Sequence, residues 1–233
     1  EAKQSIAKED NCYLVEGYTD VIQMHQKGVE NVVASSGTAL TPEQIRLINR
    51  LTPNITVLFD GDPAGLRAAL RGVDLILEQG MNVKIVTFPE GDDPDSFAKN
   101  HSKEEILEYF SDNAQDFISF KATLLRDEAK NDPIEKSNTI NEIISSISKI
   151  PDPIKRELYL RECARIMDIT EEVLFNALAQ TLHKNHREST RKSQPKQQQP
   201  FEVVAPEEKL VESVDPQDVL ERKLMELLVL YGN

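Results

Sequence analysis

Short apolar runs alternate with amphipathic helical patterns between about residues 11 and 87. The runs are rich in β-branched residues, which is typical of strands, and they read CYLVE, NVVAS, ITVLFD and VKIVTF. The segments between them carry apolar residues at helical spacing, such as Ile45, Ile48 and Leu51. This alternation predicts a small, mostly parallel α/β sheet flanked by helices, and such sheets bind ligands at the carboxyl ends of their strands.

Two helix starts support this arrangement. Thr41 and Gln44 have the spacing of a capping box, with Pro42 at the first helical position. Asp62 and Pro63 repeat the cap-plus-proline signal directly after the third strand. Each start follows a predicted strand, as a strand-helix-strand fold requires.

The strand signals stop after Gly91, and helical patterns take over. A second capping box, Ser102 with Glu105, opens the first of them. The patterns cover 102–110, 116–130, 133–150 and 153–183, the last with a break near Asp168. They predict a helical bundle beside the sheet.

The composition changes again at Lys184. Residues 184–215 are polar, glutamine-rich and punctuated by proline, so they predict a flexible linker that does not fold by itself. Asp215 and Pro216 then cap a last helix over 216–233 with an apolar stripe of Leu220, Leu224, Leu227, Leu228 and Tyr231. Because that stripe has no partner in the sequence and the chain begins with Glu1, we expect a piece of a longer protein.

Charge and cysteine content exclude several classes of protein. The net charge of −13 argues against metal-free binding of nucleic acid over a broad surface. Cys12 and Cys163 are far apart and have no CxxC partner, so a disulfide framework or a zinc knuckle is not expected, and a cytoplasmic location fits best. No apolar run reaches the roughly 18 residues that cross a bilayer, so we expect no membrane partner.

Acidic residues follow the strands where ligands are expected. Asp60 and Asp62 are two apart after the third strand, so in an extended backbone their side chains point to the same side. Glu16 follows the first strand in the same way, and parallel strands bring their carboxyl ends to one edge. Three carboxylates gathered there repel one another unless a cation binds, and oxygen ligands suit Mg²⁺ or Mn²⁺.

A second group of acids lies close by in the sequence. Asp20 is one helical turn after Glu16, and the EGDDPD segment places Asp93 and Asp95 just past the fourth strand. A simpler interpretation makes Asp62 only a helix cap and Asp60 a turn former. Because acidic residues follow three of the four predicted strands, we favour a metal site over this simpler interpretation.

Other phosphate and metal motifs do not fit. The DxDxxG segment begins like a calcium loop, but Arg71 stands where the bidentate glutamate belongs. A Walker loop and GxGxxG are both missing from the sequence. The SSGTALT segment, residues 35–41, fits two interpretations equally well. One is a loop whose backbone amides donate hydrogen bonds to phosphate, and the other is a turn that ends in a helix cap. The linker begins with several basic residues. We interpret them as the incidental charge of a solvated tether rather than as a nucleic-acid contact.

Three stretches together resemble a known family. LVEGYTDVIQMHQKGVENVVASSGTALT, VLFDGDPAG and FPEGDDPD occur in this order and are similar to the Toprim domain of bacterial DNA primases, the DnaG family. The resemblance extends over the bundle to about His183. It implies a Toprim catalytic subdomain over 1–100, a helical bundle subdomain over 101–183, and, after the linker, the first helix of a truncated helicase-binding domain.

The resemblance also implies residue roles. Glu16, Asp60 and Asp62 become the catalytic residues and metal ligands for Mg²⁺ or Mn²⁺, and Asp20, Asp93 and Asp95 complete the acidic site. A zinc site is expected only in a missing N-terminal domain. The implied activity is the synthesis of short RNA primers from ribonucleoside triphosphates on single-stranded DNA, with a replicative helicase as partner, although the fragment alone need not be active.

Two alternatives remain open. A Toprim nuclease would use the same acids to cut nucleic acid. A non-catalytic fragment would serve as a scaffold that faces the helicase.

Overall fold

Helices and strands alternate as far as residue 100, and helices dominate thereafter. The structure, a computed structural model, describes residues 1–35, 40–59, 63–89, 91–128 and 132–193, and within them all side chains except those of 63–69, 71, 128 and 186–193. Its elements in chain order are α1 Lys3–Glu9, β1 Cys12–Val15, α2 Tyr18–Gln26, β2 Val32–Ala34, α3 Pro42–Asn49, β3 Asn54–Phe59, α4 Pro63–Glu78, β4 Asn82–Thr87, α5 Pro94–Asn100, α6 Lys103–Asn113, β5 Gln115–Asp116, α7 Phe117–Glu128, α8 Pro133–Ser148, α9 Pro153–Met167 and α10 Glu171–Ser193.

The five strands form one sheet in the order β2-β1-β3-β4-β5. The first four strands run parallel, which confirms the predicted sheet. β5 pairs antiparallel with β4, with Lys84 opposite Asp116, so the expectation that strands end after Gly91 is wrong. The pattern missed β5 because two polar residues are too short for any periodicity.

The side chains of the four parallel strands enter two separate cores. Ile55, Val57 and Phe59 of β3 face a larger core that they share with α1, α3, α4 and the helices from α7 to α10. Leu58 faces a smaller core with Val15, which it shares with α2, α5 and α6. Burial on both faces explains why the strands read as continuous apolar runs.

The predicted capping boxes are present where their residues are described. Thr41 accepts a hydrogen bond from the Gln44 amide and Gln44 reaches back to the Thr41 amide. Ser102 and Glu105 do the same at the start of α6. The third predicted cap, Asp62, lies outside the described residues.

Of the helices predicted for the bundle, α7, α8, α9 and α10 share the larger core, whereas α6, which corresponds to the pattern over 102–110, belongs to the smaller core. The bundle therefore consists of α7 to α10. It packs on the sheet through side chains such as Ile147 and Leu160, which belong to the same core as β3 and β4. The predicted break near Asp168 is present, since α9 ends at Met167 and Asp168 caps it with a left-handed φ of 53°.

The last described helix is longer than expected. α10 continues to Ser193, past the predicted bundle end at His183 and into the segment predicted to be linker. The sequence after His183 contains no glycine or proline before Pro195, so nothing in it stops the helix earlier. The remainder of the predicted linker and the predicted helix over 216–233 lie outside the described residues.

The amino-terminal edge of the sheet is tied by side-chain hydrogen bonds. Asparagine stands at or just before the start of each parallel strand, at Asn11, Asn31, Asn54 and Asn82. Asn82 donates to Asn54 Oδ1 over 2.8 Å, and Asn31 donates to the Asn11 carbonyl over 2.9 Å. Thr56 donates to Asn11 Oδ1 over 3.2 Å. Asparagine amides and the Asp10 carboxylate, which accepts from Asn54 and Thr52, therefore tie this edge together. The predicted metal-ligand acids follow the strands at the opposite edge.

Candidate functional site

The carboxyl ends of β1 and β3 lie side by side. The two strands are hydrogen-bonded neighbours with Leu14 opposite Val57, so their next residues continue at one edge of the sheet. In the sequence, β1 leads into Glu16, and β3 leads into the connection that carries Asp60 and Asp62. That connection, with both aspartates, lies outside the described residues.

Glu16 is an exposed carboxylate at this edge. Buried Val15 precedes it and accepts a hydrogen bond from the Ser35 amide over 3.1 Å, which fixes the backbone there. Within the described ranges, the Glu16 side chain has no hydrogen bond or ion pair. A carboxylate that is exposed and unpaired in this way is available to a cation.

Asp20 lies one turn further on, at the third position of α2. Its Oδ2 accepts a hydrogen bond from the Gly17 amide over 3.0 Å, which caps the helix. The contact leaves little room, because a Cβ added to Gly17 would lie 3.0 Å from that same Oδ2. The glycine of the EGY segment therefore allows the carboxylate to lie against the backbone.

Asp93 and Asp95 belong to a helix that the sequence analysis did not predict. Asp93 is the N-cap of α5, and its carboxylate accepts a hydrogen bond from the Ser96 amide over 2.6 Å. That bond lowers the pKa of Asp93 below its ordinary value. Asp95, in the first turn, forms an ion pair with Lys99. The EGDDPD segment is thus a helix start whose carboxylates have partners.

The helices that carry these acids pack against each other. Met24 of α2 shares the smaller core with Phe97 and Ala98 of α5. Lys27, just after α2, donates to the Lys99 carbonyl of α5 over 3.0 Å. Since α2 follows β1 and α5 follows β4, the acidic helix starts come from the strands on either side of β3.

The described acids do not make a metal site by themselves. Across the described ranges, no three residues among the histidines, cysteines, aspartates and glutamates come close enough together to hold an ion. Carboxylate oxygen is nevertheless the donor that Mg²⁺ and Mn²⁺ prefer. A site at this edge needs the aspartates that follow β3, and Glu16 fits it because its oxygens are exposed.

Tyr109 holds the end of β4, which precedes the acidic segment, and the sequence analysis missed this contact. It lies on α6 and donates its hydroxyl hydrogen to the Thr87 carbonyl at the end of β4, over 2.8 Å. Burial and the nearby negative charge of Asp92 raise its pKa, so the hydroxyl stays protonated. The sequence separates Tyr109 from Thr87 by a whole helix, so no local signal identifies the contact.

The cysteines are not nucleophiles. Burial raises the pKa of both thiols, Cys12 and Cys163, to about 12, and both are free. The thiolate is the reactive form of cysteine, so these two groups are inert near neutral pH.

Among the described helices, none combines the length and apolar character needed to span a membrane.

Two family signatures match the chain. Residues 13–98 match the family described as Toprim-like, which corresponds to the region from β1 to α5. Residues 122–172 match the family described as the DnaB-helicase binding domain of primase. The second match falls on the bundle, whereas the sequence analysis expected helicase binding from 216 onwards.

Curated relatives are DNA primases. One from Listeria innocua is 35% identical over 190 residues, which cover 81% of this chain and 30% of the relative. One from Clostridium acetobutylicum is 32% identical and covers 76% of this chain and 29% of the relative. The chain therefore spans about 30% of the length of these relatives.

Solved structures agree with the sequence matches. A DNA primase domain from Pseudomonas aeruginosa has a TM-score of 0.67 at 31% identity, covering 77% of this chain and 57% of that one. The Aquifex aeolicus primase, with zinc-binding and RNA polymerase domains, has a TM-score of 0.61 at 33% identity, with 75% and 41% covered. A DnaG primase catalytic domain bound to single-stranded DNA has a TM-score of 0.62 at 27% identity, with 70% and 54% covered.

Proposed function

The chain belongs to the bacterial DNA primase family, and we propose that it supplies the acidic metal site at which a primase joins ribonucleotides on a single-stranded DNA template. One observation carries the proposal: β1 and β3 are hydrogen-bonded parallel neighbours, and in the sequence acidic residues directly follow each of them. The proposal places these acidic residues at the edge where the two strands end. In open α/β sheets this edge is where ligands bind.

Glu16, Asp60 and Asp62 are the catalytic residues in this proposal, and they hold Mg²⁺ or Mn²⁺. The exposed carboxylate of Glu16, which has no hydrogen bond or ion pair with any of the described residues, supports the assignment. A bound divalent ion would supply a Lewis acid that favours ionisation of the primer 3′ hydroxyl and stabilises the pyrophosphate that leaves. The 3′ oxygen forms the new bond to the α-phosphorus of the incoming nucleotide, and the bond to pyrophosphate breaks.

Asp20, Asp93 and Asp95 form a second set of metal ligands in the proposal. Each already has a partner, since Asp20 caps α2, Asp93 caps α5 and Asp95 pairs with Lys99. These contacts hold the carboxylates in place before an ion arrives, which lowers the entropy lost on binding.

The chain need not provide a covalent nucleophile. The attacking group belongs to the primer, and both thiols of the chain are buried and protonated near neutral pH. The task of the described residues is to position carboxylates, and the α2–α5 packing and the Tyr109 hydrogen bond serve that task.

Template, ribonucleoside triphosphates, RNA primer and replicative helicase are the proposed partners. The primase relatives, the DNA-bound catalytic domain and the helicase-binding signature support them. The net charge of −13 means that a polyanionic template needs cations at the site or basic residues from elsewhere. A cytoplasmic location is also proposed, because both cysteines are free.

Primer synthesis by the full-length protein tests the proposal. With labelled ribonucleotides and single-stranded DNA, Asp60→Ala, Asp62→Ala and Glu16→Gln should each reduce primer yield by at least about a hundredfold. Asp112→Ala, which removes an exposed carboxylate from α6, is the matched control and should leave the yield unchanged.

The same assay separates the alternatives. A shortened template without primers would identify a nuclease. Neither primers nor cleavage by the wild-type protein, together with retained helicase binding, would identify a scaffold. Normal primer yield from the Asp60 and Asp62 variants would overturn the site assignment.

A further inference from the structure

Two large apolar side chains lie exposed on α2, in the chain segment that directly follows Glu16. Tyr18 and Ile22 are 70% and 52% exposed, and their spacing of four residues places them on one face of the helix. Tyr18 is the most exposed aromatic side chain among the described residues. We call Tyr18 and Ile22 the α2 platform.

The helix that carries the α2 platform is held in place. Met24, on the opposite side of α2, is fully buried in the smaller core. Asp20 caps the start of the helix through the Gly17 amide over 3.0 Å. Lys27 ties the end of α2 to α5 through the Lys99 carbonyl. A fixed helix therefore exposes the platform to solvent, and its burial by a ligand would be favourable.

The α2 platform is close to the Glu16 carboxylate. Gly17 separates Glu16 from Tyr18 and has an extended backbone, with φ of −99° and ψ of 153°. Side chains two residues apart in an extended backbone point to the same side. Two residues span at most about 7 Å. The Tyr18 ring and the Glu16 carboxylate are therefore near enough for one nucleotide to contact both.

We propose that the α2 platform is the surface on which the base of a ribonucleoside triphosphate stacks while the phosphates of that nucleotide lie at the site that includes Glu16. The inference rests on the proposed function and deepens it, because it adds a subsite for the base to a site for metal and phosphate. Every base has a flat π-face, and stacking on an aromatic side chain holds a base whatever its sequence. Ile22 extends the apolar surface beside the ring.

A single-stranded DNA template fits this face less well. Binding of a DNA strand depends on lysine or arginine beside its phosphates. The nine residues of α2, YTDVIQMHQ, contain neither. The base of a nucleotide needs no basic residue on α2, because a single ribose connects it to phosphates that the proposed metal site anchors.

A protein partner or a second copy of the chain also fits less well, because the α2 platform is small. Thr19, His25 and Gln26 lie around it on the helix, and all three are exposed and polar. A stable protein interface buries about 800 Å² on each partner. Two apolar side chains within a polar surface suit a ligand of the size of one base.

Nucleotide affinity of the full-length protein tests the proposal. In the presence of Mn²⁺, calorimetric titration compares ATP with inorganic tripolyphosphate, which has three phosphates and no base. Tyr18→Ala should weaken ATP binding by about tenfold and leave tripolyphosphate binding unchanged, because only the base contacts the ring. Tyr18→Phe keeps the ring and should bind ATP as the wild type does. The matched control is Leu47→Ala, which truncates a side chain that is 57% exposed on α3 and should change neither affinity.

The kinetics of primer synthesis give a second measurement. A surface that binds the substrate and the transition state equally contributes to KM and not to kcat. Tyr18→Ala should therefore raise KM for ATP by about tenfold and leave kcat unchanged. Ile22→Ala should raise KM in the same direction by a smaller factor, because the ring remains.

The other outcomes are distinct. Wild-type ATP affinity in Tyr18→Ala would overturn the platform, and so would an equal loss of ATP and tripolyphosphate affinity, which would place the effect of Tyr18 on the phosphates. A loss of affinity for single-stranded DNA with unchanged ATP affinity would assign the platform to the template and overturn the proposal. A dimer that Tyr18→Ala abolishes, with ATP affinity unchanged, would assign it to a second copy.

Failure of the proposed function gives a different result from failure of the platform. If the wild type binds ATP and tripolyphosphate equally well, the platform is overturned and the metal site remains. If the wild type binds neither ligand in the presence of Mn²⁺, the primase site itself is overturned, and the platform with it.

Discussion

The Tyr109 hydroxyl donates a hydrogen bond to the main-chain carbonyl of Thr87 over 2.8 Å. This contact joins α6 to the end of β4, just before the segment that leads to Asp92 and α5. The Tyr109 ring lies 4.6 Å from the Phe97 ring and 6.1 Å from the Phe88 ring, centroid to centroid. A side chain of α6 thus holds the end of β4 and packs against Phe97 of α5, the helix that begins at the acidic segment.

Removing that hydroxyl should loosen the acidic segment without emptying the core. We expect Tyr109→Phe to lower the free energy of unfolding by about 1 kcal/mol, because the Thr87 carbonyl loses a partly buried partner while the ring contacts remain. Urea unfolding measures the change. Tyr18→Phe is the control, since Tyr18 is 70% exposed and should show no change. An equal loss in both variants would contradict the assigned role of Tyr109.

Divalent metal should stabilise the chain through Glu16. A ligand that binds only the folded state at ten times its Kd adds about 1.4 kcal/mol, so millimolar Mn²⁺ should raise Tm by a few degrees. Glu16→Gln should reduce that rise because it removes a charged ligand. Glu9→Gln, which changes an exposed carboxylate on α1, should leave it intact. An identical rise in all three proteins would argue against a site at this edge.

Two glycine-to-alanine substitutions should change the free energy of unfolding in opposite directions. Gly17→Ala brings a Cβ within 3.0 Å of Asp20 Oδ2, so the cap of α2 must shift and stability should fall by about 1 kcal/mol. Gly72→Ala, inside α4, meets nothing within 4 Å and should raise stability by about 1 kcal/mol through helix propensity. Denaturant midpoints of the two variants compare them directly. A gain from Gly17→Ala would show that the Asp20 contact does not constrain position 17.

Asp116 should make stability fall as pH rises from about 4. Burial raises its pKa above the ordinary value, although hydrogen bonds from Tyr159 and the Ile118 amide oppose the shift. For a carboxyl group with a raised pKa, folding is favoured while the group is protonated, and the contribution is lost as pH rises through the folded-state pKa.

Asp116→Asn isolates this effect, because asparagine does not titrate. The unfolding free energy of the wild type minus that of the variant should be largest below the unfolded-state pKa of 3.8 and should decline towards neutral pH. Chemical denaturation across this range measures the difference. A difference that grows with pH would mean that Asp116 is stabilised as the anion, contrary to the assigned cause.

The sequence by itself determined the features that depend on a few neighbouring residues. The capping boxes at Thr41 and Ser102 and the helix break at Asp168 were predicted correctly, because each reflects bonds closed within one turn of chain. The four parallel strands were predictable too, since burial on both faces requires apolar runs. The position of Glu16 at the carboxyl end of β1 follows from the same runs.

The shortest helices and strands could not be predicted from the sequence. α1 and α5 have seven residues each, and β5 has two, so none shows a periodic pattern. Asp93 and Pro94 do carry the cap-plus-proline signal that identified other helices, but the acidity of the segment favoured a metal-ligand interpretation. The structure makes Asp93 the N-cap of α5, and its place in a metal site stays a prediction.

Only the tertiary structure decided which distant groups meet. The Tyr109 bond to Thr87, the α2–α5 contact, and the asparagine bonds at the amino-terminal edge join residues from separate elements. Their free energy depends on how the sheet closes and which helix covers which face, and no local pattern encodes that. The two faces of α9 have the same origin: the helical spacing is visible in the sequence, but only packing shows that Leu160 faces the core and Leu158 faces outward.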